Sequence, residues 1–265
     1  MSLDPDTAAS LTLKVVDLAA AGDTVDAPAV PIVAVGTAAE IAAAQPWLER
    51  ATFTLTEDLV DDRRIVTVPS TTAAIAELRQ RVQRWPQAAA ICDDVLRATD
   101  PSAPAWRGLV TESLAYSTLQ SGAEFRDWLA RRGPASSPGH ADPVLVEREE
   151  DSLTIWLNRP GRHNAFSTDM RQALLDALTI ARLDTSIRDV TLAGTGPSFC
   201  SGGDLAEFGS FDDPATAHFA RTRHSPAHAL DELASRLGER MRARVHGQVL
   251  GSGLEMAAFC GRVEA

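Results

Sequence analysis

Cysteine is scarce in this 265-residue chain: Cys92, Cys200 and Cys260 are the whole complement. They lie far apart with no Cys-x-x-Cys pair, which excludes a disulfide framework and a zinc knuckle and leaves small, reduced, packed side chains as the expectation. Positive charge is short as well. With 25 lysines and arginines against 36 aspartates and glutamates, the net charge is -11, the wrong sign for a protein that neutralises nucleic-acid phosphates. No apolar run approaches a membrane span, so no membrane partner is expected. The N-terminus, MSLDPDTAAS, lacks a basic segment leading into an apolar one, so no secretion signal is read and a cytoplasmic protein is the default. His218, His224 and His228 have no carboxylate or cysteine at ligand spacing, and no metal is assigned to them. What the chain does have is 45% hydrophobic residues and a mean hydropathy of -0.09, enough for a buried core in one large domain or two modest ones.

Pattern along the chain points to two parts. RRGPASSPGHADP, 131–143, gathers Pro, Gly and Ser between patterned segments and reads as containing a linker at 134–143. Before it, 1–133 forms a small α/β unit of unknown role. VPIVAVGT and RRIVTVPS read as short buried strands, and TTAAIAELRQRVQRW as a helix with Ile75, Leu78 and Val82 inward. Residues 111–132 read as one or two helices. After the linker, 144–265 begins with VLVERE and SLTIWLN, a hairpin around Glu149–Asp151 that lacks an Asn-Gly turn signal. FSTDMRQALLDALTIARLD is a helix capped by Ser167, with Asp169 at its positive end and Met170, Leu174, Leu178 and Ala181 as its inward stripe. The strand DVTLAG follows, then helices over 214–223 and 226–242 separated at Pro226, the second with Leu230, Leu233, Leu237 and Met241 inward.

Two passages carry little side chain. GPSFCSGGDLAEFG follows one strand, and VHGQVLGSGLEMAAFC contains another strand running into a short apolar helix. Glycine is costly unless backbone must bend sharply or touch something, so these turns are candidates for aiming peptide N–H groups at a ligand oxygen. Two such turns on a rigid scaffold can converge on one site. GQVLGSG is not a dinucleotide fingerprint, since its spacing is wrong and no acidic residue follows about twenty positions later. Arg221, Arg223, Arg240, Arg242 and Arg244 form a loose basic band, the ordinary form of a solvated face.

NRPGRHNAFS, PSFCSGGDL and VHGQVLGSGLEMAAFC resemble, in order and spacing, three motif segments of the crotonase superfamily, the enoyl-CoA hydratases and isomerases. The resemblance covers 144–260. It implies an α/β fold, a crotonase-like spiral of strand-strand-helix turns, here truncated and preceded by the N-terminal unit. It also implies acyl-CoA as substrate, no cofactor beyond the coenzyme A of that substrate, and hydration of a 2-enoyl-CoA thioester through a stabilised enolate. By the same resemblance the N–H groups of Gly203 and Ser252 form the oxyanion hole and Glu255 is the acid or base. Arg162, Ala165 and Phe166 fall in the early CoA-contacting stretch, with Ser201, Gly202, Asp204 and Leu205 near the adenine and thioester, and Arg159 and Arg162 are candidate phosphate partners. Double-bond isomerisation uses the same hole, and a noncatalytic scaffold on this fold is the reading from another class.

The departures from the family pattern carry expectations too. Relatives continue past the second turn with another glutamate, further spiral turns and a helical arm used in trimer assembly, so the sequence is expected to be a C-terminally incomplete piece of a chain forming trimers or hexamers. ESLAYSTLQSGAEFRDWLARR, within 111–132, is similar to that arm although it precedes the core. Gly261 replaces the family's usual aspartate after the cysteine, and Ser252 stands where glycine is common. Locally, Ser252 and Glu255 also fit an S-x-x-E capping box, and Asp204 fits a helix cap; His246 reads as packed or exposed.

Overall fold

The computed structural model describes residues 12–22, 30–211 and 213–265. Two units emerge, one from the described residues up to Ala103 with Leu114–Asp127, the other from Pro104–Ser113 with Trp128–Ala265. Both are α/β, and both sheets are mostly parallel.

In the N-terminal unit, β1 (Lys14–Asp17), β2 (Ile32–Val35), β3 (Phe53–Thr56) and β4 (Ile65–Thr67) make a sheet in sequential order, parallel throughout. The two expected strands hold β2 and β4. KVVD and FTLT are two further strands of four residues each that the sequence reading does not predict. Helix α1 (Ala38–Ala43) starts in a Thr37/Glu40 capping box, and α2 (Gln45–Arg50), α3 (Thr71–Arg84) and α4 (Pro86–Ala98) follow. Val82 is the buried member of the α3 stripe. Cys92 on α4 is exposed rather than packed, whereas Cys200 and Cys260 are buried. The helical stretch resolves into α5 (Ala105–Gln120) and α6 (Ala123–Arg132), interrupted at Ser121 and Gly122.

In the C-terminal unit the sheet order is β5 (Val144–Glu149), β6 (Ser152–Leu157), β7 (Asp189–Gly194), β8 (Met241–Arg244) and β9 (Arg262–Glu264). Only β5–β6 is antiparallel. Its register, Glu149 opposite Ser152, leaves a two-residue turn in which Glu150 takes φ 52°. A left-handed turn residue is normally Asn or Gly, which is why the local signal was weak. The parallel pairs require crossovers, supplied by α7 (Thr168–Leu183), α8 (Pro214–Arg223), α9 (Pro226–Leu237) and α10 (Ser252–Ala258). Ser167 caps α7 by accepting from the Met170 N–H, and Met170, Leu174, Leu178 and Ala181 are fully buried. They pack with Leu153, Ile155 and Leu157 of β6, Leu192 of β7 and Leu230 and Leu233 of α9. Each of the leucine, isoleucine and methionine side chains contributes about 1.5–3 kcal/mol on burial.

The expected helix over 226–242 is too long. Gly238, at φ 60° and ψ -135°, ends α9 after Leu237, in a conformation that only glycine adopts readily. Met241 is buried as expected but begins β8 rather than extending the helix; its spacing from Leu237 merely continues the helical period by coincidence. Gly261 has a matching reason to be bare. A Cβ there would run into the Gly238 carbonyl oxygen and carbon, so an aspartate does not fit this backbone.

Candidate active site

After β7 the chain folds back tightly, and a Cβ on Gly194 would strike the backbone of Ser198 and Phe199. The segment that follows runs beside the second turn: the Phe199 and Cys200 N–H groups donate to the carbonyls of His246 (2.8 Å) and Gln248 (3.0 Å), and the Leu250 N–H returns to Cys200 O (3.0 Å). The bare residues permit this approach. A Cβ on Gly253 would lie 2.5 Å from Cys200 O, and one on Gly202, at φ 95°, would lie 3.1 Å from Leu250 O. On the other flank the first loop joins in. Phe166 N–H donates to Gly202 O (2.8 Å), Asp204 N–H to Phe166 O (2.9 Å) and Ser201 N–H to His163 O (2.9 Å). The three quoted motifs are thus adjacent backbone strips.

Phe166 and Gly203 form an isolated parallel bridge. In that pattern the bonded groups are those of Gly202 and Asp204, and Gly203's own N–H points to the opposite side. Among the described residues neither the Gly203 N–H nor the Ser252 N–H donates a hydrogen bond. Ser252 is the first residue of α10 and Gly251, at φ 48°, is its N-cap without a side-chain cap bond. The capping box is therefore not formed: with Ser252 inside the helix, its hydroxyl cannot serve as the cap. That hydroxyl is buried beside the sulfur of Cys200, whose thiol burial pushes up to about 11. Such a thiol stays protonated and unreactive.

Glu255 lies one turn along α10, its N–H donating to Gly251 O (3.0 Å), and its side chain reaches solvent. Its carboxyl is nevertheless raised above the usual glutamate range, first by partial burial and second by the charge of Glu112 on α5. A raised carboxylate exchanges protons at a pH nearer neutrality.

Asp204 is not a helix cap, because a turn rather than a helix follows it. It accepts from the Ala206 N–H (3.1 Å), from Ser137 Oγ (2.6 Å), from Arg159 Nη2 (3.1 Å) and from Arg162 Nη2 (2.9 Å). Burial raises its pKa, but those donors and the nearby Arg162 charge outweigh burial and leave it lowered. Asp204 and Arg159 are 2% and 3% exposed, so the guanidinium of Arg159, already engaged by Ala165 O, Ser137 and Asp204, does not face solvent as a phosphate partner must. Arg162 also binds Asp204 but is 43% exposed. Ala165 is buried, Phe166 and Ser201 are half-buried, Gly202 is buried against the second turn, and Leu205 is exposed.

Ser137 and Glu112 were not foreseen as site residues. Glu112 opens the arm-like segment and Ser137 lies in the linker stretch, and nothing in either pattern ties them to the three motifs. The histidines have other neighbours: His218 Nδ1 lies 2.9 Å from Ser113 Oγ, His228 packs on Trp106 with ring centroids 4.5 Å apart, and His246 Nε2 meets Gly196 O at 2.9 Å. The basic band is dispersed, with Arg242 paired to Asp189, Arg244 over Trp156 and Arg223 over Trp106. Among the described residues no helix is long and apolar enough to cross a membrane.

A family model described as enoyl-CoA hydratase/isomerase matches residues 147–263. Over that stretch the chain is homologous to the crotonase (enoyl-CoA hydratase/isomerase) superfamily. It is 32% identical over 125 residues to the 2,3-dehydroadipyl-CoA hydratase of Escherichia coli (strain K12), covering 46% of each chain. It is 32% identical over 120 residues to 4-chlorobenzoyl coenzyme A dehalogenase-2 of Arthrobacter sp, covering 44% of this chain and 42% of that one. Among solved structures, an enoyl-CoA hydratase/carnithine racemase from Magnetospirillum magneticum aligns at TM-score 0.40 and 30% identity over 46% of each chain. The chain spans about half the length of the curated relatives it matches.

Proposed function

We propose that the C-terminal unit handles acyl-CoA thioesters, and that its reaction is hydration of a 2-enoyl-CoA. The observation that carries this reading is the pair of uncommitted amides, Gly203 and Ser252, on two turns bonded side by side. Fixed donors of this kind stabilise the enolate oxygen that develops when the thioester carbonyl accepts charge, and one is worth about 2.7–4 kcal/mol in a measured case. Glu255, with its raised carboxyl, delivers or removes the proton at the adjacent carbon. In the same reading the exposed Arg162 and Leu205, with Ala165, Phe166, Ser201 and Gly202, border the coenzyme A, and Asp204 holds that border in place.

Glu255→Gln separates this reading from a noncatalytic scaffold. It keeps the side chain's size and removes proton transfer, so crotonyl-CoA turnover is expected to fall about 10²- to 10⁴-fold while coenzyme A affinity, read by calorimetry, is retained. Unchanged turnover with a lowered melting temperature would reduce Glu255 to a structural residue. A chain that binds acyl-CoA and never turns it over would favour the scaffold.

A further inference from the structure

The peptide after Gly203 is anchored by buried charge. Arg159 Nη1 holds the Ala165 carbonyl at 2.5 Å and Nη2 holds Asp204 Oδ2 at 3.1 Å, and these two partners flank the two sides of the Phe166–Gly203 bridge in sequence. One guanidinium therefore ties the first loop, at the residue before Phe166, to the turn, at the residue after Gly203. The fork is itself fixed, since Arg159's own N–H donates to Asn164 Oδ1 (2.7 Å) and Asn164 Nδ2 donates to the carbonyls of Thr195 (2.9 Å) and Ser198 (2.7 Å). Ser137, from the irregular segment before β5, bonds both charged partners.

We propose that Arg159 and Asp204 are positioning residues that set the direction of the Gly203 N–H, with Ser137 and Arg162 holding the Asp204 carboxylate in place. Desolvation offsets much of the attraction in a buried ion pair, so such a pair is a poor source of net stability; what it enforces is one geometry, because every other arrangement leaves a buried charge unpaired. An apolar contact at the same place tolerates sliding. For an oxyanion donor that difference matters, since a misplacement of about 1 Å costs on the order of 10²-fold in rate. The functional consequence rests on the acyl-CoA reading; the mechanical claim does not.

The test uses the whole 265-residue chain and begins without ligand. Amide hydrogen exchange at Phe166 and Asp204 reports the first-loop bridge, and exchange at Phe199 and Cys200 reports the contact with the second turn. In Asp204→Asn, and in the milder Ser137→Ala and Arg162→Met should the first not fold, Phe166 and Asp204 (Asn in the first variant) are expected to exchange on the order of tenfold faster or more with the other two unchanged. Equal acceleration at all four sites, or none, overturns the proposal. With crotonyl-CoA, Ser137→Ala is expected to lower kcat about 10- to 100-fold with KM held within about twofold, whereas Arg162→Met, which also removes a coenzyme A neighbour, is expected to lower kcat and raise KM together. If the parent chain turns nothing over, the acyl-CoA reading fails and the exchange result still decides the mechanical claim. If the chain is active and selective loosening leaves kcat untouched, the positioning role is wrong.

Discussion

The two turns that meet at the candidate site are held by different forces. The turn at Gly203 is tied to the first loop by a buried carboxylate and guanidinium, whereas the turn at Ser252 is held by bare backbone, with Gly253 packed on Cys200 and Gly251 beside Gly202. Charge fixes direction and can be withdrawn by a proton. Close packing fixes distance and responds only to added volume. A site with one donor on each kind of support has two separable ways to fail.

The largest expected effect comes from breaking the charged support. Asp204→Asn leaves the Arg159 guanidinium buried without a counter-charge, a loss of about 3–5 kcal/mol, measurable as a fall in the urea midpoint at neutral pH. A change below about 1 kcal/mol, the scale of an exposed pair, would mean that water reaches Arg159 and that the first turn does not depend on charge.

The same contrast explains what the sequence could reveal. Bare backbone is visible locally: the glycines in GPSFCSGGDL and VLGSGLE announced both turns, and the 3.6-residue period announced α7. Charge partners are not visible in this way. Arg159 meets Asp204 across 45 residues and Ser137 meets it across 67, so Asp204 read as a cap and Arg159 as a phosphate partner. Short strands such as Arg262–Glu264 lack enough residues for a period. The S-x-x-E pattern misled for a local reason: Gly251 took the cap position and moved Ser252 into the helix.

A smaller effect is expected from crowding the second turn. Gly253→Ala adds a methyl 2.5 Å from Cys200 O and 2.7 Å from its Cβ, and a carbonyl and a Cβ bonded directly to the main chain cannot swing aside. Overpacking of this sort costs about 1–3 kcal/mol, read as a lowered melting temperature with little change across pH. Parent-like stability would mean that α10 shifts freely, and that the Ser252 amide is not held at a fixed distance.

The smallest effect, and the one that separates the two supports most directly, is the dependence on acid. Asp204 has a lowered pKa in the folded chain because Ser137, Ala206, Arg159 and Arg162 together outweigh its burial. A depressed carboxylate contributes stability that is fully present above the unfolded aspartate value, about 3.9, and is lost as pH falls through the folded value. Other carboxylates follow the same law, among them Asp62 and Asp184, each held at about 2, so the parent's acid slope alone assigns nothing to Asp204. The difference between variants does. Urea midpoints taken from pH 6 downward are expected to fall less steeply for Asp204→Asn than for the parent, because one proton-linked contribution is already gone, while Gly253→Ala runs parallel to the parent at a lower level. Parallel curves for all three would show that Asp204 carries no proton linkage, and the division between a charged support and a packed one would collapse.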